Sequence, residues 1–192
     1  MKEKLYVEKV LSGNTSAFAY FVNTYQGMAV NIAYRICENM QDAEDVVQES
    51  FVKAYKNLHT FRLESKFSTW FYRIVFNTAV TFTKSKIWLI PDEVESAASS
   101  EFSDLDTERQ IEISETSEIV SDVLSKIPNA YGLVLSLFYL EDNSVKEVAE
   151  ITGLNDSNIK VMLFRARKMF KEMITKNYPE LYSVDDYKME LK

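Results

Sequence analysis

Only four glycines and three prolines are spread over the 192 residues of this chain. β-Sandwiches and barrels place such residues at nearly every hairpin, so a chain this poor in breakers excludes them. Gly13, Gly27, Gly132 and Gly153 also lie too far apart to build a GxGxxG turn or a P-loop, which removes the glycine-rich nucleotide cradle. The same scarcity favours long helices. The expected fold is all-α.

Helical periodicity then organises the chain. Phe18, Phe21, Val22, Tyr25, Ala29, Ile32, Ala33 and Ile36 recur at helical spacing and predict a long helix over about 16–37. A short helix over 3–11 precedes it, broken at Gly13-Asn14-Thr15. A third, over 42–57, opens at Asp42 and turns Ala43, Val46, Val47, Phe51 and Ala54 inward. A fourth, over 69–86, is expected to be capped by Ser68. Residues 91–108, opened by Pro91, are acidic, rich in serine and poor in bulky apolar side chains, as linkers are. Four further helices follow, over about 112–127, 129–141, 145–152 and 157–176, with Pro128 at the start of the second. The expected organisation is two small helical domains, 1–88 and 112–177, joined by an acidic linker at 89–111. A loosely held tail at 178–192 ends the chain.

A formal net charge of −7 is unpromising for a nucleic-acid binder until it is divided. Residues 1–90 carry 11 basic and 8 acidic side chains, whereas residues 91–118 carry 10 acidic side chains against Arg109 alone. Two basic windows stand on either side of that acidic stretch. Arg62, Lys66, Arg73, Lys84 and Lys86 face only Glu64, and Lys160, Arg165, Arg167, Lys168, Lys171 and Lys176 face only Glu172. Local basic patches, more than total charge, mark a nucleic-acid surface. Two ordinary solvated helix faces would give the same pattern.

Residues 145–166 fit a helix-turn-helix. Ala149 is small where two helices would cross, and Gly153 falls at the turn, where a positive φ is required. Val148, Leu154 and Ile159 occupy core positions. Ser144 can cap the first helix, and Asp156 or Ser157 the second. Projected at about 100° per residue, Ile159, Leu163, Ala166 and Phe170 form an inward stripe. Ser157, Lys160, Val161, Phe164, Lys168 and Lys171 lie opposite, with Arg165 at the edge. Lysines that meet phosphates and apolar side chains that meet thymine methyls suit a major groove. A second small hydrophobic face packed on another part of the chain is the alternative.

Two further clusters stand in the first half. Asp42, Asp45 and Glu49 share one helix face, with Glu44 and Gln48 beside them. They form either an acidic docking face for a basic partner or a plain solvated face. A di-metal site is a third reading, although the Glu-x-x-His pairs such sites use are missing. Residues 61–88 hold eight aromatics, including both tryptophans. If Trp70, Phe71, Ile74 and Val75 face the core, Tyr72 and Phe76 cannot, and they fall near Arg73 and Lys84. Rings interleaved with cations suit single-stranded nucleic acid, where bases stack and phosphates follow the charges. Taken singly, each ring, Trp70 above all, is better explained as core than as a contact.

With one cysteine (Cys37) and one histidine (His59), an internal disulfide, a cysteine-based zinc site and a multi-histidine metal cluster are excluded, and no metal or cofactor is expected. No apolar run reaches the roughly 18 residues of a membrane-spanning helix, so stable membrane insertion is not expected. The charged opening from Met1 to Lys9 has no signal-peptide pattern, so a cytoplasmic protein is expected.

Taken together, these motifs resemble bacterial sigma factors of the extracytoplasmic-function type, in the sigma-70 family. The resemblance rests on Ala43-Glu44-Asp45-Val46-Val47-Gln48-Glu49-Ser50-Phe51, on Phe61-Arg62, and on the run Phe67-Ser68-Thr69-Trp70-Phe71-Tyr72-Arg73-Ile74-Val75-Phe76-Asn77. It resumes at Ile127-Pro128, Glu147-Val148-Ala149, Ile159-Lys160 and Leu163-Phe164-Arg165-Ala166-Arg167. It implies a non-enzymatic promoter-specificity subunit. Asp42, Glu44, Asp45, Gln48 and Glu49 would contact the β′ clamp helices of core RNA polymerase. Arg62, Lys66, Phe67, Tyr72, Arg73, Asn77 and Lys84 would open and hold the −10 element. Ser157, Asn158, Lys160, Val161, Phe164, Arg165 and Lys168 would read the −35 element of promoter DNA. An anti-sigma factor would commonly mask these surfaces. The chain departs from the family pattern where an Arg is common at the positions of Met162 and Gly132, and only Lys84 and Lys86 remain of a basic cluster after Asn77. These departures imply weak intrinsic DNA affinity, offset when the polymerase holds both domains. Gly132, inside a helix, costs about 1 kcal/mol relative to Ala with no packing reason visible in the sequence. The alternative function is a free-standing helix-turn-helix regulator, which would bind a palindrome as a dimer.

Overall fold

The computed structural model describes residues 2–84 and 117–179, all of whose regular structure is helical. Its eight α-helices are α1 (Lys2–Leu11), α2 (Ala19–Cys37), α3 (Met40–Asn57), α4 (Phe67–Thr83), α5 (Ser117–Lys126), α6 (Asn129–Leu135), α7 (Val145–Thr152) and α8 (Asp156–Asn177). A 3₁₀ turn at Thr15–Phe18 leads into α2, and α6 runs on as a π-helical turn over Ser136–Leu140. The expected linker and all of the tail beyond Pro179 lie outside the described residues. Tyr178, expected to be loosely held, donates its hydroxyl to Asp122 Oδ2 at 2.7 Å.

Capping chemistry explains where the helices begin. Asn39 opens α3 by accepting the Asp42 N–H at 3.1 Å, so the helix starts two residues before Asp42, which lies in its first turn. Ser144 opens α7 through a reciprocal capping box with Glu147, as the sequence predicts. Asn155, rather than Asp156 or Ser157, opens α8, accepting the Asn158 N–H at 2.7 Å. Ser68 is buried inside the first turn of α4 and caps nothing. Glu3 of α1 reaches that helix end instead, accepting the Phe67 N–H at 3.5 Å and the Tyr25 hydroxyl. A carboxylate at a helix N-terminus meets both the free N–H groups and the positive end of the dipole.

α2, α3 and α4 pack against one another around Phe21, Ile32, Val46, Phe67 and Phe71. The second half gathers around Ile127, Leu133, Leu137, Ile151 and Ile159. These are not separate interiors. α4 packs on α7 and α2 on α6, and one contiguous apolar cluster runs through both halves. This overturns the expectation that Tyr72 and Phe76 point away from the core. Both are buried, because α4 is covered on one side by α2 and α3 and on another by α7.

Candidate nucleic-acid interface

In the helix-turn-helix, Gly153 ends α7 at φ +74° and donates its N–H to the Ala149 carbonyl at 2.8 Å. That left-handed residue is the one the sequence assigns to the turn. Val148 and Ile159 are fully buried between α7 and α8, with Leu154 half-buried at their edge. α8 then presents Ser157, Lys160, Phe164 and Lys168 at the surface, with Asn158 and Arg165 half-buried. Val161 departs from this face. It is 3 % exposed, as is its neighbour Leu163, so the exposed stripe is narrower than its projection. Met162 is also buried, which explains an apolar residue there: a guanidinium would have to leave water. Arg167, counted in the basic window, lies over the rings of Phe138 and Tyr139, 5.7 and 5.5 Å from their centroids. It braces α8 against the π-helical turn.

The first basic window divides in the same way. Arg62, Lys66, Arg73, Asn77 and Lys84 are exposed. Phe67 is fully buried and Tyr72 only 1 % exposed. Their expected role as accessible single-strand contacts therefore does not hold in this arrangement. The Phe67 ring stacks on Phe21 at 4.1 Å in the core. Tyr72 donates its hydroxyl to Glu141 Oε2 at 2.8 Å, across to the other half of the chain. Burial, with the nearby Glu141 carboxylate, pushes the Tyr72 phenol well above its ordinary range. Burial likewise raises the Glu141 carboxyl, although the Tyr72 hydroxyl opposes it. Lys66 Nζ bonds the Asp142 carbonyl at 2.9 Å and pairs with Glu147 at 3.3 Å. Burial raises the Glu147 carboxyl, but the Ser144 N–H and hydroxyl and the Lys66 ammonium outweigh it, so the group lies below its usual value.

On α3, Glu44, Asp45, Gln48 and Glu49 are exposed and Asp42 is half-buried. Glu49 pairs with Lys53 one turn on, at 2.7 Å. Val52 and Tyr55 are exposed at positions that continue the Asp45–Gln48 line. Sequence reasoning missed them because it sought charge, whereas two exposed large apolar residues in register with Gln48 were the available signal. Among the described residues, no group of three His, Cys, Asp or Glu side chains could hold a metal ion.

An acidic and apolar stripe on one helix, cations around α4 and a capped helix-turn-helix occur here in one chain. Residues 21–88 match the family Sigma-70 region 2, and residues 117–170 match Sigma-70, region 4. The ECF RNA polymerase sigma-E factor of Haemophilus influenzae is 34% identical over 182 residues, covering 91% of this chain and 96% of that protein. This chain belongs to the extracytoplasmic-function sigma factors of the sigma-70 family. It is a promoter-recognising sigma subunit. The ECF sigma factor SigW of Bacillus subtilis is 28% identical over 185 residues, covering 91% of this chain and 97% of its own. CnrH, solved in complex with the cytosolic domain of CnrY, shares the fold with a TM-score of 0.58 at 21% identity, covering 90% of this chain and 97% of that one. RpoE of Bartonella quintana, solved with the anti-sigma factor NepR, has the same TM-score at 18% identity, covering 83% and 98%. The free-standing regulator reading gives way to this assignment. In the sigma factor, region 2 takes in α2–α4 and region 4 takes in α5–α8.

The contact between the two regions has a second cluster at the end of α2. Arg35 is 7 % exposed, and its guanidinium donates to Asn31 Oδ1 at 3.0 Å and to the Leu124 carbonyl at 3.2 Å. Burial lowers the pKa of this guanidinium. Asn129 of α6 donates to Glu38, the residue just past α2, at 2.8 Å. Among the described residues, no helix is long and apolar enough to cross a membrane.

Proposed function

We propose that this sigma factor binds core RNA polymerase through α3 and places region 2 on the −10 element and α8 in the major groove of the −35 element. The observation that carries the reading is the face of α8. Behind a helix-turn-helix with a capping box at one end and a left-handed glycine at its turn, Ser157, Lys160, Phe164 and Lys168 stand at the surface with Arg165 beside them. Lys160 and Lys168 would meet phosphates, which sets affinity and its salt dependence. Ser157, Phe164 and Arg165 would reach base edges. Arg62, Lys66, Arg73, Asn77 and Lys84 would track the melted strand. The β′ clamp helices would dock on Glu44, Asp45, Gln48 and Glu49, with Asp42 at one end and Val52 and Tyr55 at the other. The domain division at 88 and 112 and the acidic linker between follow the same proposal. Such a subunit does no chemistry of its own and works in the cytoplasm, where the polymerase acts. An anti-sigma factor is a further expected partner, in line with the complexes formed by CnrH and RpoE.

The test is reconstitution. The purified protein is mixed with bacterial core polymerase, and run-off transcripts are mapped on fragmented genomic DNA. Discrete start sites that share −10 and −35 elements support the reading. Failure to bind core where a control sigma factor binds overturns it.

A further inference from the structure

The loop that joins α3 to α4 is short and pinned at both ends. Phe61 is buried before it, with its ring centroid 5.5 Å from that of Phe67 and 5.3 Å from that of Trp70. Phe67, fully buried, follows the loop and opens α4. Between the two, Arg62, Leu63, Glu64 and Lys66 are exposed. Leu63 stands at φ +60°, a left-handed backbone that a bulky side chain rarely adopts. Such a residue persists only where its surroundings over-determine it, and it collects at functional sites.

The surroundings here include a helix from outside region 2. The match to that region begins at residue 21, after α1 has ended. Yet α1 packs on the 3₁₀ turn Leu58–Thr60 ahead of the loop, and its Glu3 carboxylate accepts the Phe67 N–H at 3.5 Å just beyond it. Lys66, the residue that precedes α4, offers that helix no side-chain cap. Glu3 is itself held. Its other oxygen accepts the hydroxyl of Tyr25, whose buried ring lies 5.3 Å from that of Phe67. α1 thus braces both ends of the loop, and one carboxylate fixes where α4 starts.

We infer that Glu3 is a positioning residue for the −10 element: through the Phe67 amide and Tyr25 it holds the 62–66 loop in the shape that the melted strand meets. The inference rests on the promoter-reading role proposed above and adds to it a residue that touches no DNA. A loop already held loses less conformational freedom on binding. The correct base gains most, because it alone makes every contact the fixed loop offers, whereas phosphates are met in any sequence. Loss of the brace therefore lowers discrimination between bases more than it lowers binding as such.

The experiment uses the full chain with Glu3→Ala, Glu3→Gln and Tyr25→Phe. Hydrogen exchange at the Phe67 amide is read in the free protein, with circular dichroism for helix content. Holoenzyme made with core polymerase is then titrated with single-stranded oligonucleotides carrying the −10 element of its mapped promoters or single-base changes in it. Glu3→Ala is expected to speed Phe67 exchange roughly tenfold and to lower the preference for the correct bases about as much, with core affinity unchanged. Glu3→Gln is expected to stay within about threefold of the parent in both, because its amide oxygen can still accept the Phe67 N–H while its NH₂ donates to the Tyr25 oxygen. Tyr25→Phe keeps the ring in the core and frees the carboxylate from one partner. It is expected to move both readouts the same way by about threefold, and it carries the test if Glu3→Ala loses helix content. Unchanged Phe67 exchange in the folded variants overturns the inference, as does faster exchange with base preference intact. If holoenzyme of the parent protein binds no −10 strand, the promoter-reading role itself fails and the positioning role falls with it.

Discussion

Tyr25 and Tyr72 are tied to carboxylates by their hydroxyls while their rings are buried, and both phenols are pushed up in consequence. Burial is the larger cause in each. An unfolded tyrosine titrates near about 10. The folded values lie above it, so the stability these groups contribute is fully present below that pH. It is lost as the pH rises beyond it, because only the unfolded chain then releases the protons. Absorbance titration at 295 nm should therefore show two of the 11 tyrosines ionising only with unfolding. In Tyr72→Phe one late phenol should disappear. Two ordinary phenols near pH 10 in the folded protein would contradict the burial described. Gly132 teaches a related lesson. The sequence shows only that it departs from the family and weakens its helix. Its reason, the Arg35 side chain, comes from 97 positions earlier in the chain and becomes visible only in three dimensions.

At the scale of elements, periodicity placed the helices well and capping residues less well. The core positions of α2 and α3 and the turn at Gly153 were legible because each is set by local spacing or by a single backbone requirement. The starts of α3 and α8 were not, because Asn39 and Asn155 compete with nearby Asp and Ser residues of similar capping power. The start of α4 was hidden for another reason: its capping carboxylate, Glu3, belongs to a distant helix. Ser144→Ala removes half of the capping box on α7 and should destabilise the region 4 helix-turn-helix by about 1 kcal/mol. Thermal unfolding or hydrogen exchange at Glu147 and Val148 would show it. No change would mean that Glu147, with Lys66, holds that helix end alone. Leu137→Ala, in the shared core, should cost about 2–5 kcal/mol in denaturant unfolding. A loss of less than a kilocalorie would mean that the core does not close over that side chain.

For the whole molecule, the order of parts was readable: a helical half, an acidic stretch and a helix-turn-helix half. Their docking was not, and that gap accounts for the placement of Tyr72, whose hydroxyl bonds Glu141 of the other half. Phe67, Tyr72 and Val161 carry apolar surface, and a sequence does not say whether such surface meets a base or another helix. The charged members of each cluster had no such ambiguity, and Lys160, Lys168, Arg62 and Arg73 are at the surface as expected. The central claim is that α8 reads the promoter while α3 holds the polymerase, two tasks on two faces that can be lost separately. Its most direct test is run-off transcription with core polymerase and the double variant Lys160→Ala, Arg165→Ala. The account predicts that core binding persists and promoter-specific initiation is lost. Loss of core binding in that variant, or initiation at the wild-type start sites with undiminished yield, would contradict it.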